Sequence, residues 1–283
     1  MHRYVALALC LLLTACAQLP PRADLPEELT PAPATTGAIA ERVAPMEARH
    51  PGQSGFRLVA AGADAYALRA YSAQAATTSL DIQTYIWKAD LTGKLLARQA
   101  LLAADRGVRV RLLVDDFPAR VNNAGFAALD AHPHLEVRIY NPLVSRSGLL
   151  RKAGEFATDF HRLNHRMHNK SWIADNRIAL VGGRNLADEY FDAHHSVDFI
   201  DLDLLMAGPV VPEVSATFDA FWNSTASFPI ALLSPEATSQ EALQRLRGVL
   251  EDTQAELRAS DFKQVLREDP QVQALLAGET YLR

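Results

Sequence analysis

From Ser79 onward, apolar and polar positions alternate between two periods. Ser79 to Trp87 (SLDIQTYIW) reads as a strand, Thr92 to Arg106 carries apolar residues at helical spacing, and Val108 to Val114 is a β-branched run closed by Asp115-Asp116. Asn123 to Ala131 predicts a helix and Leu135 to Tyr140 a strand. His168 to Ala174 and Arg177 to Val181 predict two strands joined by Asp175-Asn176, a pair suited to a tight turn. Asn185 to Phe191 is expected to begin a helix, and Asp198 to Met206 reads as a buried strand. The rhythm predicts an α/β domain with a mixed β-sheet flanked by helices. Beyond Phe228-Pro229, Leu243, Leu246, Leu250 and Leu257 fall near helical spacing on a polar background, and Gln271 to Leu276 predicts a shorter helix. No 20–50-residue repeat is visible.

The N-terminal pattern is different. His2 and Arg3 precede an apolar run from Tyr4 to Leu13, too short to span a bilayer as a mature helix. A basic start, a short apolar stretch and Leu13-Thr14-Ala15-Cys16 describe an export signal over residues 1–15, and its ending resembles a bacterial lipobox. That resemblance implies cleavage before Cys16, lipid on Cys16, and attachment in the cell envelope. Ala17 after the cysteine favours the outer membrane, facing the periplasm. Residues 16–54 are dense in proline and read as a tether. Residues 55–229 make the α/β domain, and 230–283 a helical connector or tail.

Length and composition narrow the classes. With 283 residues, 49% apolar content and 22% charge, the chain can bury a core, and a formal net charge of -5 argues against a generally basic nucleic-acid binder. The other cysteine, Cys10, lies inside the signal, so the exported part has neither a disulfide nor a thiolate metal site.

The chemistry concentrates between Arg166 and Asn185. On a strand, His168 and Lys170 would share a face, placing a nucleophile beside a cation. Gly182-Gly183 would permit close backbone approach, and Asn185 would open a helix whose amides favour an anion. Together these elements suggest a phosphate site. His168-x-Lys170-x4-Asp175, followed by Gly182-Gly183-x-Asn185, resembles the HKD motif of the phospholipase D superfamily. The string HRLNHRMHNKSWIADNRIALVGGRNLADEYF is similar to the first half of bacterial cardiolipin synthases, especially their C-type branch. The resemblance extends over about Pro51 to Asn223, through LLAADRGVRVRLLVDD, HLEVRIYNP, DFIDLDLLMAGPVV and FDAFWN.

The resemblance implies a phospholipase D-like fold and a phosphatidyltransferase acting on phospholipids such as phosphatidylglycerol. His168 would attack phosphorus to form a phosphohistidine, with Lys170 and Asn185 gripping the non-bridging oxygens. Asp175 would be structural, and Asp115 and Asp116 would shape the pocket, with a turn as their other reading. A second histidine must protonate the leaving alkoxide. The scheme needs no metal and no cofactor. The imidazole of His168 also needs a carboxylate to fix its tautomer. Asp201, then Asp203, both on one face of DFIDLDLL, are the candidates; alternatively these aspartates pair with Arg177 or Arg184. Arg138, Arg146, Arg151, Lys152, Arg162 and Arg166 gather before the motif and could face anionic lipid at roughly 1 kcal/mol each, or form a solvated loop. His161, His165 and His168 superficially suggest a metal cluster but lack a further ligand.

Only one HKD motif is present among nine histidines, and 60 residues follow Asn223. Three readings remain open. The favoured one is a cardiolipin synthase whose C-terminal half is missing. A C2 homodimer could instead bring two His168 residues together, as a transferase, hydrolase or nuclease. The third is a non-catalytic lipid-binding lipoprotein.

Overall fold

The computed structural model of the chain describes residues 19–22, 24–116, 123–144, 160–194 and 196–277. Eight strands form one mixed sheet: β1 (Gly55–Val59), β2 (Ser79–Thr84), β3 (Arg109–Asp115), β4 (Leu135–Tyr140), β5 (Ser171–Ala174), β6 (Ile178–Gly182), β7 (Asp203–Ala207) and β8 (Ser227–Pro229). Their order is β1-β7-β6-β5-β2-β3-β4-β8. Strands β2, β3 and β4 are mutually parallel, and every other pair is antiparallel. The parallel strands therefore end at the same edge of the sheet at which β5 begins, β6 ends and β7 begins. Ligand sites of open α/β sheets form at such an edge.

The helices are α1 (Ala38–Arg49), α2 (Gly62–Ala75), α3 (Leu91–Asp105), α4 (Asn123–Asp130), α5 (Phe160–Leu163), α6 (Val210–Trp222), α7 (Ile230–Leu233), α8 (Gln240–Ala259), α9 (Phe262–Glu268) and α10 (Pro270–Leu276). Local chemistry explains their starts. Asp90 accepts from Gly93 N at the start of α3, Ser239 from Ala242 N at α8, and Asp269 caps α10 with Pro270 in its first turn. Asp175 (φ 55°) and Asn176 (φ 51°) both occupy the left-handed region, with Arg177 N bonded to Ala174 O, the geometry of a two-residue hairpin turn.

One sheet face carries the main core. Leu80, Ile82, Val110, Leu112 and Trp172 meet α2, α3 and α4 there. The C-terminal segment, expected as a connector or tail, belongs to this core. Leu243 and Leu250 of α8 are buried, and Phe262 of α9 meets the Tyr66 ring edge-on with centroids 5.0 Å apart. The other face carries α6, with Phe218 and Trp222 buried against Leu113 and Ile173.

Three expectations are corrected. Residues 24–49 are not a free tether: proline density prevents strand pairing but not docking by side chains, and α1 forms with Pro45 inside it while burying Ile39, Ala40 and Val43. Asn185 does not open an α-helix; only a single 3-10 turn, Asp188–Tyr190, follows it. β7 is shorter than the expected strand: Asp198 to Leu202 makes only isolated backbone bonds, Phe199 N to Glu189 O and Gly183 N to Leu202 O, rather than a ladder, and Phe199 and Ile200 lie exposed.

Candidate functional site

His168 and Lys170 stand at the edge where the parallel strands end, on an extended segment that precedes β5 rather than belonging to it. They still act on one side. The Tyr85 ring lies 4.9 Å from the His168 ring, and Lys170 Nζ lies 5.4 Å from the same Tyr85 centroid. Lys170 Nζ also donates to the His168 carbonyl at 2.7 Å. His168 is exposed while Lys170 is buried, so the imidazole is reachable and the ammonium supports it from beneath.

The electrostatics suit that division. Burial, then the Lys170 charge, lowers the His168 pKa against the opposing pull of Asp201, which leaves a neutral imidazole with a lone pair at neutral pH. Burial lowers Lys170 to about 8, again opposed by Asp201. Lys170 is therefore still predominantly cationic near neutrality.

The chain enters this site under tight control. Met167 N donates to Asp115 Oδ2 at 2.8 Å, and Arg166 Nη1 lies 3.4 Å from Asp115 Oδ1. Asn141, in the left-handed region at φ 47°, donates through Nδ2 to the carbonyls of Arg162 (2.7 Å) and His165 (2.9 Å). The end of β4 thus fixes the segment leading into His168. Asp116 Oδ2 accepts from Leu143 N at 2.7 Å. Asp115 and Asp116 each hold a loop through a backbone amide at the end of β3.

Asp175 lies at the opposite end of the β5–β6 hairpin. Its fully buried carboxylate accepts from the backbone amides of Thr77, Thr78 and Ser79 and from both threonine hydroxyls, at 2.7 to 3.2 Å. Its contacts are all structural, joining the hairpin turn to the start of β2.

Other candidates meet different partners from those expected. Asn185 Oδ1 accepts from Ile86 N at 3.0 Å, and its Nδ2 donates to Tyr190 Oη at 2.8 Å, so in this state Asn185 ties Ile86 to Tyr190. The space left by Gly182 and Gly183 is occupied by the neighbouring aspartates: a Cβ on Gly182 would sit 2.0 Å from Asp203 Oδ1, and one on Gly183 2.0 Å from Asp201 Oδ1. The glycine pair admits carboxylates. Asp203 is buried and bonds Arg69 at 2.9 Å, with Arg184 at 3.6 Å. Asp201 acts on His168 and Lys170 through its charge, while its Oδ1 accepts from Leu202 N at 2.8 Å; it forms no hydrogen bond to His168.

The described members of the basic cluster are used inside the protein. Arg138 stacks 4.2 Å over Trp222 and bonds Glu136 and Glu28, Arg162 holds Asn141 and Pro142, and Arg166 holds Asn141. Cys16, Arg146, Arg151 and Lys152 lie outside the described residues. Among the described residues no group of three His, Cys, Asp or Glu could hold a metal ion, and no helix is long and apolar enough to cross a membrane. Tyr85 and Asn141 are the residues that motif reading missed. Asn141-Pro142 carried a turn signal, whereas nothing in the local pattern marked Tyr85 as the ring beneath His168.

The family described as cardiolipin synthase, PLD-like domain, matches residues 72–222. Cardiolipin synthase C of Escherichia coli (strain K12) is 45% identical over 192 residues, covering 68% of this chain and 40% of that protein. An uncharacterized protein of Helicobacter pylori (strain ATCC 700392 / 26695) is 38% identical over 184 residues, covering 65% of this chain and 36% of the other. The chain thus spans less than half the length of these relatives. A solved phosphatidylserine synthase of Haemophilus influenzae Rd KW20 superposes with a TM-score of 0.49 at 13% identity, over 72% of this chain and 43% of that one.

Proposed function

The chain belongs to the family of cardiolipin synthase, phospholipase D-like domains, and we propose that it supplies one half of a phosphatidyl-transfer site acting on phospholipid phosphodiesters. The observation that carries this reading is the exposed His168 ring on Tyr85 with Lys170 beneath it. A neutral His168 nitrogen attacks phosphorus, the bond from phosphorus to the leaving alkoxide breaks, and a second histidine donates the proton that the alkoxide takes up. That second histidine then removes a proton from the incoming glycerol hydroxyl, whose oxygen attacks phosphorus and releases His168. Lys170 offsets the negative charge that develops on the non-bridging oxygens.

A second half must bring the second histidine, from another copy of this chain or from a C-terminal half of the kind that the longer relatives have room for. The exposed run Val197, Phe199, Ile200 and Leu202, which surrounds Asp201, supports a protein half docking beside His168. Lipid attachment at Cys16 and residence in the cell envelope, at the outer membrane, complete the reading.

The test is transfer of a labelled phosphatidyl group between phosphatidylglycerol molecules in vesicles, with trapping of an acid-labile phosphoenzyme. His168→Ala should remove activity by at least about a thousandfold and abolish the trapped species while leaving the melting temperature unchanged. Turnover that survives His168→Ala would overturn the assignment. Cleavage of nucleic acid without phospholipid turnover would assign the site to the nuclease reading, and a monomer without turnover but with lipid binding to the non-catalytic one.

A further inference from the structure

Arg22 and residues 24–34 lie along the α6 face of the sheet in a definite direction. Arg22 Nη1 donates to Ser224 O at 2.7 Å, and Glu28 N donates to Asn223 Oδ1 at 3.0 Å. The Glu28 carboxylate accepts from Arg138 and from Trp222 Nε1. Thr30 Oγ1 lies between the Asp81 and Asp219 carboxylates, at 3.1 and 3.0 Å, and accepts from the buried Arg111 at 2.8 Å. Pro31 O accepts from Asn176, and Ala34 N donates to Asp175 O. The segment is therefore a strap with two ends. Asp175 and Asn176 lie at the hairpin turn, the edge away from His168. Ser224 lies just before β8, whose Ser227 pairs with Tyr140, and Ala226 O accepts from the Asn141 amide. Asn141 is the residue that fixes the entry to His168. Arg22 thus sits at the catalytic edge.

We propose that this strap turns a long N-terminal tether into a short leash that holds the catalytic edge of the sheet against a phospholipid bilayer. The proposal rests on lipid attachment at Cys16, part of the function proposed above. If residues 17–54 were free, about 38 residues could extend on the order of 130 Å and the body could face the bilayer in any orientation. With the strap docked, six peptide steps from Cys16 to Arg22 span at most about 20 Å. The anchored end and His168 then share one edge. The bilayer is both the attachment and the source of a phosphodiester with long acyl chains, so such a leash presents the site to its substrate at high effective concentration.

The chain lends itself to the experiment because a single added cysteine in the mature protein, with Cys16 acylated and Cys10 removed, takes a fluorophore at one place. Thr225→Cys marks the catalytic edge and Gln53→Cys the opposite one; both positions are exposed. On phosphatidylglycerol vesicles carrying a headgroup acceptor, the Thr225 label should be quenched several-fold more strongly than the Gln53 label. A flexible insert of twenty residues between Gln18 and Leu19 should abolish the difference while leaving the strap intact. Equal quenching of the two labels without the insert would overturn the proposal.

The anchor is tested separately by the mass of the N-terminal lipopeptide. Should Cys16 carry no lipid, a hexahistidine in its place on nickel-chelating vesicles repeats the same comparison and still decides whether the strap orients the body. Protection of the Thr30 and Ala34 amides from hydrogen exchange should fall in Glu28→Ala/Thr30→Ala but persist with the insert. Unprotected amides in the unaltered chain would overturn docking itself.

Discussion

The two ends of the β5–β6 hairpin carry ionisable groups in opposite circumstances. At the turn, Asp175 has no exposed surface and accepts from three backbone amides and two hydroxyls. At the mouth, His168 is exposed, and no side chain among the described residues hydrogen-bonds its ring nitrogens. The motif joins them within eight residues. A carboxylate saturated with donors is inert and rigid, whereas an imidazole on an aromatic ring keeps a lone pair for chemistry. Stability and reactivity are thus assigned to opposite ends of one hairpin.

That contrast can be broken most severely at the turn. Asp175→Ala removes the acceptor from several buried donors at once and should cost roughly 3–5 kcal/mol in urea unfolding. His168→Ala, at an exposed position, should stay within about 0.5 kcal/mol of the parent in the same measurement. Equal losses at both positions would contradict the division.

A smaller effect is expected where the aspartates fill the glycine space. Gly183→Ala drives a methyl against Asp201 Oδ1 and should cost about 1–3 kcal/mol by the same unfolding measurement, with the His168 titration displaced as Asp201 moves. An unchanged imidazole titration by NMR would show that Asp201 does not reach His168 electrostatically.

The pH dependence at Lys170 sharpens the mouth further. Its pKa falls from the ordinary 10.5 to about 8 on folding, so the folded chain holds this proton less tightly than the unfolded chain. Stability should therefore rise as pH climbs from about 8 towards 10.5, while binding of an anion such as inorganic phosphate should weaken through about pH 8. Lys170→Arg should abolish that weakening of anion binding, measured by calorimetry. The smallest effect belongs to Tyr85→Phe: the ring under His168 remains, so stability should change by less than about 0.5 kcal/mol and the aromatic shift on the imidazole should persist. Tyr85→Ala should remove that shift.

Much of the sheet could be read along the chain because its strands carry β-branched or alternating runs bounded by turn residues. Leu135–Tyr140 matches its expected bounds, and Asp175-Asn176 makes the expected turn. Helix α2 escaped because it has no single apolar stripe: Ala63, Ala65, Leu68 and even Asp64 and Arg69 are buried around most of its circumference. The strap escaped for another reason. Its order comes from Asp219, Asn223 and Arg111, 83 to 195 positions away, which local composition cannot reveal.

By itself the sequence determined the motif and the side shared by His168 and Lys170, because these depend on short spacings along an extended chain, whereas the partners of Asp175, Thr77 to Ser79, lie 96 to 98 positions away. Only the tertiary structure decided that Asn185 bonds Ile86 and Tyr190, that Asp201 and Asp203 fill the space beside Gly182 and Gly183, and that Tyr85 carries the His168 ring. It also decided that the described part of the proline-rich segment lies along α6, with Arg22 bonded to Ser224 just before β8. The physical reason is the same in each case: a hydrogen-bond partner is chosen by proximity in space, and the sheet order brings together residues that the chain keeps far apart.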